Sequence, residues 1–367
     1  MTHPRDENDP GGDATPHSPG GGTAAPAFSN AALVVFGLAA LLFVLLRLWR
    51  LTSSCLWFDE IFSVHAAARH GWKDMLAFVV EDIIHPPLFY ALLKIWIAAG
   101  GESLLWVRLF PALTSIATIF PFFLLCRELR LKAGEMNLAL ALMAANGYLI
   151  KYAQELRMYS LLLLFTLCSL WLFAAYCNAR GASKKKLAAL FAVNLLLVYT
   201  HYYGWLVVAA EGLFLLFRAR RKLLPFSIVS AALALCFAPW AYAVARAAAG
   251  SVGLAQNIGW MARPALADAA RFYVTLNEIL YYRQSSHEPL FFRWSAPLCA
   301  LVFGGPLLVF LWRVWRRPPV DDRERANVVW WALAFTLLPV ALALAASWLL
   351  PYSVWGTRHL IVIAAPY

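Results

Sequence analysis

Charged residues are scarce in this chain. Asp, Glu, Lys and Arg make up 14% of its 367 residues, against 62% hydrophobic. A water-soluble domain carries about 25% charged and about 45–50% apolar residues. Mean hydropathy is +0.65, and a sphere of this size has too little interior to hide so much apolar surface. A string of soluble domains is therefore excluded, and the excess must face lipid. Cysteine is also sparse. None of the six sits in a CxxC pair or a Cys/His metal spacing, so neither a disulfide framework nor a zinc site is supported. No internal repeat is visible. The N-terminal stretch has no basic n-region and no small-residue cleavage site, so the first apolar run reads as a retained helix rather than a signal peptide. Acids are outnumbered 20 to 31 by bases, giving a net charge of +11. In a membrane chain this excess marks Lys- and Arg-rich loops held on the cytoplasmic side, so nucleic acid is not an expected partner.

What remains is an all-α polytopic membrane protein. Residues 1–28, rich in Gly, Pro, Asp and Ser, read as a disordered cytoplasmic tail. Residues 29–367 read as one transmembrane domain. About 20 apolar residues cross the roughly 30 Å hydrocarbon core, and Ala31 to about Trp49 is the first such run. Four basic clusters then anchor the topology. They are Arg127, Arg130 and Lys132; Arg180 and Lys184–Lys186; Arg218, Arg220, Arg221 and Lys222; and Arg313, Arg316, Arg317, Arg323 and Arg325. Spans are expected at about 105–126, 135–150, 157–178, 187–202, 204–218, 223–245, 291–312 and 327–350. A run from His359 to Tyr367 is too short to cross, so a further span continuing past the end is expected. The total is about nine to ten. Arg47 and Arg50 at the outer end of the first span count against this orientation; acids carry little weight in the rule, and the orientation is kept. Two long outer loops follow, at about 51–104 and 246–290. The first holds two weakly amphipathic segments and a Pro-initiated helix, about 87–99, lying along the interface.

Function must be read from the polar residues near the membrane surface. Asp59 and Glu60 are adjacent carboxylates behind Leu56-Trp57-Phe58; they fit either a solvated helix start with Asp59 as N-cap or a partly desolvated acid pair. His85-Pro86-Pro87 fits a helix start or an anion site at a helix N-terminus. Glu155 and Arg157 fit an interfacial ion pair, or a carboxylate for a metal with a guanidinium for phosphate. His201 and Arg358 fit an aromatic belt and a snorkelling helix end. Glu211 falls mid-span and must be protonated or paired. Each ordinary reading stands alone. Together, Asp59, Glu60, His85, Glu155, Arg157, His201 and Arg358 fall on one side of the membrane under a topology set by the basic loops. That arrangement suits an anionic, lipid-borne ligand with carboxylates beside it for proton abstraction.

In order along the chain, WFDEIF, HPPLFY, RLFPAL (Arg108–Leu113), QELRMYS, THYYG, Pro239-Trp240 and a late Arg-His-Leu form a combination. From about residue 30 to 367 it resembles the family 39-type glycosyltransferases of the GT-C superfamily, relatives of the protein O-mannosyltransferases and the lipid A aminoarabinose transferase. The resemblance implies a GT-C-type helical bundle with juxtamembrane helices in its first outer loop. It implies an enzyme of the inner (plasma) membrane, with its active site facing the periplasm or exterior. The activity implied is sugar transfer from a polyprenyl-phosphate donor to a lipid, glycan or protein acceptor, with membrane lipid around it. By the same resemblance Asp59 is the catalytic base with Glu60 beside it, and His85 and Arg358 hold the carrier phosphate. Arg157 and His201 lie with them, and Glu155 is the nearest match to an acid at a divalent metal or donor site. The aminoarabinose transferase has Arg three residues beyond its catalytic Asp, where this chain has Phe62. The rival expectation is a transporter or flippase of a lipid-linked anionic glycan, which would place ionisable groups at mid-bilayer in broken helices.

Overall fold

The computed structural model describes residues 29–179, 181–250, 259, 261–280 and 323–367, with residues 301, 304, 305, 308, 309 and 312 between them. The expected tail (1–28), residues 251–258, 260 and 281–290 of the second outer loop, most of the span at 291–312 and the basic cluster from Arg313 to Arg317 lie outside the described residues. The described chain is helical; its single β contact is an antiparallel bridge between Asn146 and Ile279.

The first apolar run is α1, Asn30–Leu48, started by Ser29, whose Oγ accepts from the Ala32 N–H. Its buried residues are Ala39, Phe43 and Arg47. That i, i+4, i+8 seam packs on α7. The first outer loop holds α2 (Phe58–Ala67), α3 (Trp72–Asp82) and α4 (Leu88–Gly100), with Pro87 just ahead of α4. Then come α5 (Leu104–Ala117) and α6 (Ile119–Glu128), jointed at Thr118, α7 (Ala133–Ala145) and α8 (Gly147–Gln154). Next are α9 (Tyr159–Asn178), α10 (Lys184–Thr200) and α11 (Gly204–Arg218). A 3-10 turn at Arg220–Lys222 leads into α12, Leu223–Gly250. The last elements are α13 (Leu266–Thr275), α14 (Arg323–Leu349) and a 3-10 helix over Thr357–Ile363.

Five stretches are long and apolar enough to cross a membrane: Asn30–Leu48, Leu104–Glu128, Tyr159–Asn178, Arg220–Ala249 and Asn327–Leu349. The expected spans at 187–202 and 204–218 form helices of 17 and 15 residues, shorter than the roughly 20 residues of a typical span. The expected span at 135–150 is two helices. Asn146 leaves the helical region, its Oδ1 caps the Leu149 N–H, and its Nδ2 donates to Leu276 O at 2.6 Å. Gly147 N–H donates to Glu278 O, and Leu280 N–H to Ala145 O. The backbone freed by this break is thus satisfied by the second outer loop rather than by the helix. The run from His359 begins as the 3-10 helix, with Leu360–Ile363 buried against α9 and α14.

Helix α9 is the axis, buried nearly all round, as a helix enclosed by others must be. Its far end joins three of the basic clusters. Lys222 Nζ donates to Tyr176, Cys177 and Ala179 carbonyls, and Lys186 Nζ to Ala175 O. A cavity of about 930 Å³ at that end is lined by Arg130, Lys132 and Arg218 among others. Twenty residues at 1.5 Å each set this end about 30 Å from Tyr159. Arg47, which complicated the orientation, is not a loop cation. It is fully buried, and its NH1 and NH2 donate to Ala144 O and Met143 O at 2.7 and 2.8 Å, closing carbonyls at the end of α7.

The mid-span Glu211 is paired. Asn194 Nδ2 donates to Oε2 at 3.0 Å and Ser169 Oγ lies 2.7 Å from Oε1, tying α9, α10 and α11 together. Removing one member leaves a buried acceptor unmet. Asn194→Ala is expected to cost about 1–3 kcal/mol, read as a lower melting temperature in detergent with secondary structure retained at low temperature.

Candidate functional site

The polar cluster lies at the Tyr159 end of α9 and is assembled from five separated segments. Trp57, not Asp59, is the N-cap of α2, which sets Asp59 and Glu60 in the first turn, where the helix dipole favours carboxylates. The two then part. Asp59 is partly exposed and its Oδ2 meets Arg358 NH1 at 3.0 Å, across 299 residues of sequence. Glu60 is buried. Its Oε2 receives Arg108 NH2 at 3.0 Å and Trp57 N–H at 3.1 Å, and its Oε1 receives Leu156 N–H at 2.8 Å. Arg108 also donates to Leu51 O, Ser54 Oγ and Cys55 O. Both oxygens of Glu60 are thus spent on fastening the first outer loop to α5 and to the turn between α8 and α9.

The QELRMYS segment distributes its side chains around this point. Gln154 Nε2 donates to carbonyls at the end of α1. Arg157 is buried; NH1 donates to Asp59 O (3.0 Å) and Ser63 Oγ (3.1 Å), while NH2 lies 3.3 Å from His85 Nε2 and 3.5 Å from its Nδ1. Glu155 is buried, and its Oε1 has no hydrogen-bond partner. Burial, opposed by Lys151, Arg358 and Arg157, pushes its carboxyl up to about 7.

The THYYG segment does the same from the other side. His201 enters the cluster, and its Nδ1 accepts the Tyr203 N–H at 3.0 Å. Tyr202 OH donates to Ile83 O and receives Trp240 Nε1–H, both at 3.3 Å. Tyr203 OH donates to Val354 O and accepts Gly356 N–H. Tyr148 OH adds a bond to Thr357 O at 2.8 Å. Arg358 and His359 are therefore presented by a strap held by two tyrosines. The loop ahead of α4 is set by Ile83 at φ 55°, a left-handed conformation costly for a β-branched residue, on the order of 1–2 kcal/mol. Past that turn His85 Nδ1 stands 3.3 Å from Asp82 Oδ2. Burial and the guanidiniums of Arg157 and Arg358 hold the His85 imidazole well below its usual range, and burial lifts Asp82 to about 6. The ring and the carboxyl share a hydrogen bond whose donor follows the tautomer of the imidazole.

Of the seven residues singled out from sequence, Asp59, His85, Arg157, His201 and Arg358 come together. Glu155 lies within electrostatic reach without a bond, and Glu60 belongs to the loop fastening. His359, Asp82 and Arg108 carried no role in the sequence reading. Asp82 sits three residues ahead of His85 and His359 next to Arg358, but what recruits each is contact across the fold. The group of three or more metal-ligating side chains found among the described residues is His85, His201 and His359; Glu155, expected at a metal, is outside it.

Glu155 gives a pH signature. Its carboxyl ionises near 4.5 when free and near 7 here, so the folded chain holds the extra proton between those values. Stability from this group is full below pH 4.5 and is lost as pH rises through 7. Glu155→Gln removes that loss. The variant is expected to melt with the parent at pH 4.5 and above it at pH 8, by no more than about 3 kcal/mol.

Fold and cluster together define a class: an all-helical, membrane-embedded protein with guanidinium, carboxylate and imidazole groups gathered at one end of its bundle. Set against protein-family models, curated proteins and solved structures, the chain matches none.

Proposed function

We propose that the chain is an inverting glycosyltransferase, moving a sugar from a polyprenyl-phosphate carrier to an acceptor hydroxyl on the outer face of the inner membrane. In this reading the bundle crosses the bilayer nine to ten times and the cluster faces the periplasm or exterior. The observation that carries the proposal is the pairing of a partly exposed carboxylate, Asp59, with Arg358 at 3.0 Å, beside buried Arg157 and His85. A base for an alcohol and cations for a phosphate are brought to one place from four separate segments of the chain.

Asp59 takes the proton of the acceptor hydroxyl as its oxygen bonds to the anomeric carbon. The bond from that carbon to the phosphate oxygen breaks on the opposite face, inverting the centre. The phosphate leaves with its full charge. Arg157 and Arg358 stabilise that charge, a contribution that mutagenesis of comparable sites places at about 3–4 kcal/mol per donor, and the imidazoles of His85 and His201 line the edge of the phosphate position. Arg157 has the firmer position, since Ser63 and the Asp59 carbonyl fix its other amino group. The flippase reading gains less, because the mid-span carboxylate, Glu211, is engaged by Ser169 and Asn194 rather than left for cargo.

The test is reconstitution of the full chain in liposomes with radiolabelled polyprenyl-phosphate hexoses and pentoses and an envelope-lipid extract as acceptor. Label appearing in a new glycoside, with free polyprenyl phosphate released in equal amount, supports transfer. Label that crosses the bilayer still attached to its carrier contradicts it.

A further inference from the structure

We propose that His85, His201 and His359 together bind one divalent transition-metal ion of the zinc class, with the fourth coordination position open toward Asp59 and Arg157. Each imidazole offers one nitrogen, and the three ligand atoms lie within 4.8 Å of one another. The rings come from three separate segments: the loop ahead of α4, the end of α10 and the 3-10 strap. Their centroids are 4.6 Å apart for His201 and His359, 5.6 Å for His85 and His201, and 6.5 Å for His85 and His359. Tetrahedral zinc needs nitrogens about 2.0–2.1 Å from the ion, so the three must close by roughly 1.5 Å between pairs, a movement that ring rotation supplies.

Three further features point to a cation. The Nε2 atoms of His201 and His359 are shut off from solvent with no hydrogen-bond partner, although nearly all buried polar atoms have one. His85 is oriented as a metal ligand would be, its Nδ1 against the Asp82 carboxylate; that carboxylate–imidazole pair fixes the tautomer and leaves Nε2 as the donor. Arg157 does not occupy that lone pair. A group 3.3 and 3.5 Å from both ring nitrogens lies over the ring or toward its Cε1 edge, whereas one bonded along the Nε2 lone pair stands much farther from Nδ1. Loading has one local consequence. His201 Nδ1 now accepts from Tyr203 N–H, so metal at Nε2 moves the ring proton to Nδ1 and releases that amide, exchanging a weak backbone bond for a metal–nitrogen bond.

Three neutral ligands leave the bound ion with its full positive charge, suited to a phosphate oxygen at the open position. That last step rests on the transferase reading; the binding of metal does not. The test uses the full chain, purified in detergent, stripped with chelator and titrated with Co²⁺ and then Zn²⁺ without donor. Expected are stoichiometric retention through gel filtration and a visible cobalt spectrum of tetrahedral type that zinc abolishes. His201→Gln and His359→Gln should lose stoichiometric binding, and Asp82→Asn should weaken it roughly 10–100-fold. His70→Ala, at an exposed histidine, should bind as the parent does. A parent protein that retains no metal and shows no cobalt spectrum overturns the proposal, whether or not the variants fold. Binding that survives both glutamine variants also overturns it. Transfer by fully stripped protein would leave the transferase standing and remove the ion from its chemistry, whereas a metal-loaded protein without transfer would do the reverse.

Discussion

Asp59→Asn should lower sugar transfer by roughly 10²–10⁴-fold, the usual contribution of a positioned general base, while leaving donor binding nearly unchanged. The asparagine has the same shape, and its carbonyl oxygen still accepts from Arg358. The helix position is unchanged, because Trp57 and Glu60, not Asp59, close the start of α2. What is lost is the basicity needed to take a hydroxyl proton. Single-turnover transfer of radiolabelled sugar, with a parallel donor-retention measurement, separates the two quantities. Turnover retained in this variant would remove Asp59 from the mechanism.

Glu60→Ala should act on the fold. It strips the buried Arg108 of its carboxylate partner, and breaking one side of a buried pair costs about 3–5 kcal/mol. The Leu156 and Trp57 amides lose their acceptor in the same step. The expected result is a large fall in melting temperature and poor recovery of monodisperse protein. Glu60→Gln keeps an oxygen for one amide and should fall between, with turnover per folded molecule close to the parent's. A Glu60→Gln protein that melts like the parent but no longer transfers would place Glu60 in the chemistry instead of in the fastening of the loop.

The helices and the gathering of Asp59, Arg157, His85, His201 and Arg358 were legible in the sequence for a physical reason. Apolar runs must span or line the bilayer, and charges that remain near its surface are few enough to be accounted for individually. What escaped was pairing at a distance. Glu60 and Asp59 are neighbours with the same chemistry, and only Arg108, 48 residues on, separates a buried staple from an exposed base. Arg47 reads as a flanking cation until the broken end of α7 presents its carbonyls. The break at Asn146 carried one local signal, the Asn146-Gly147 turn pair inside an apolar run; the partners that stabilise it, Leu276 and Glu278, lie 130 residues later. His359 stood in the late Arg-His-Leu run without a role of its own; the strap that carries it is placed by Tyr148 and Tyr203.

The most direct test of the central arrangement is labelling with a membrane-impermeant thiol reagent in a cysteine-free background. Asp59→Cys and Arg358→Cys should both react from outside intact cells, and Lys185→Cys, at the basic end of α9's partner helix α10, only after permeabilisation. Positions 59 and 358 reacting from opposite sides, or position 185 reacting from outside, would contradict it.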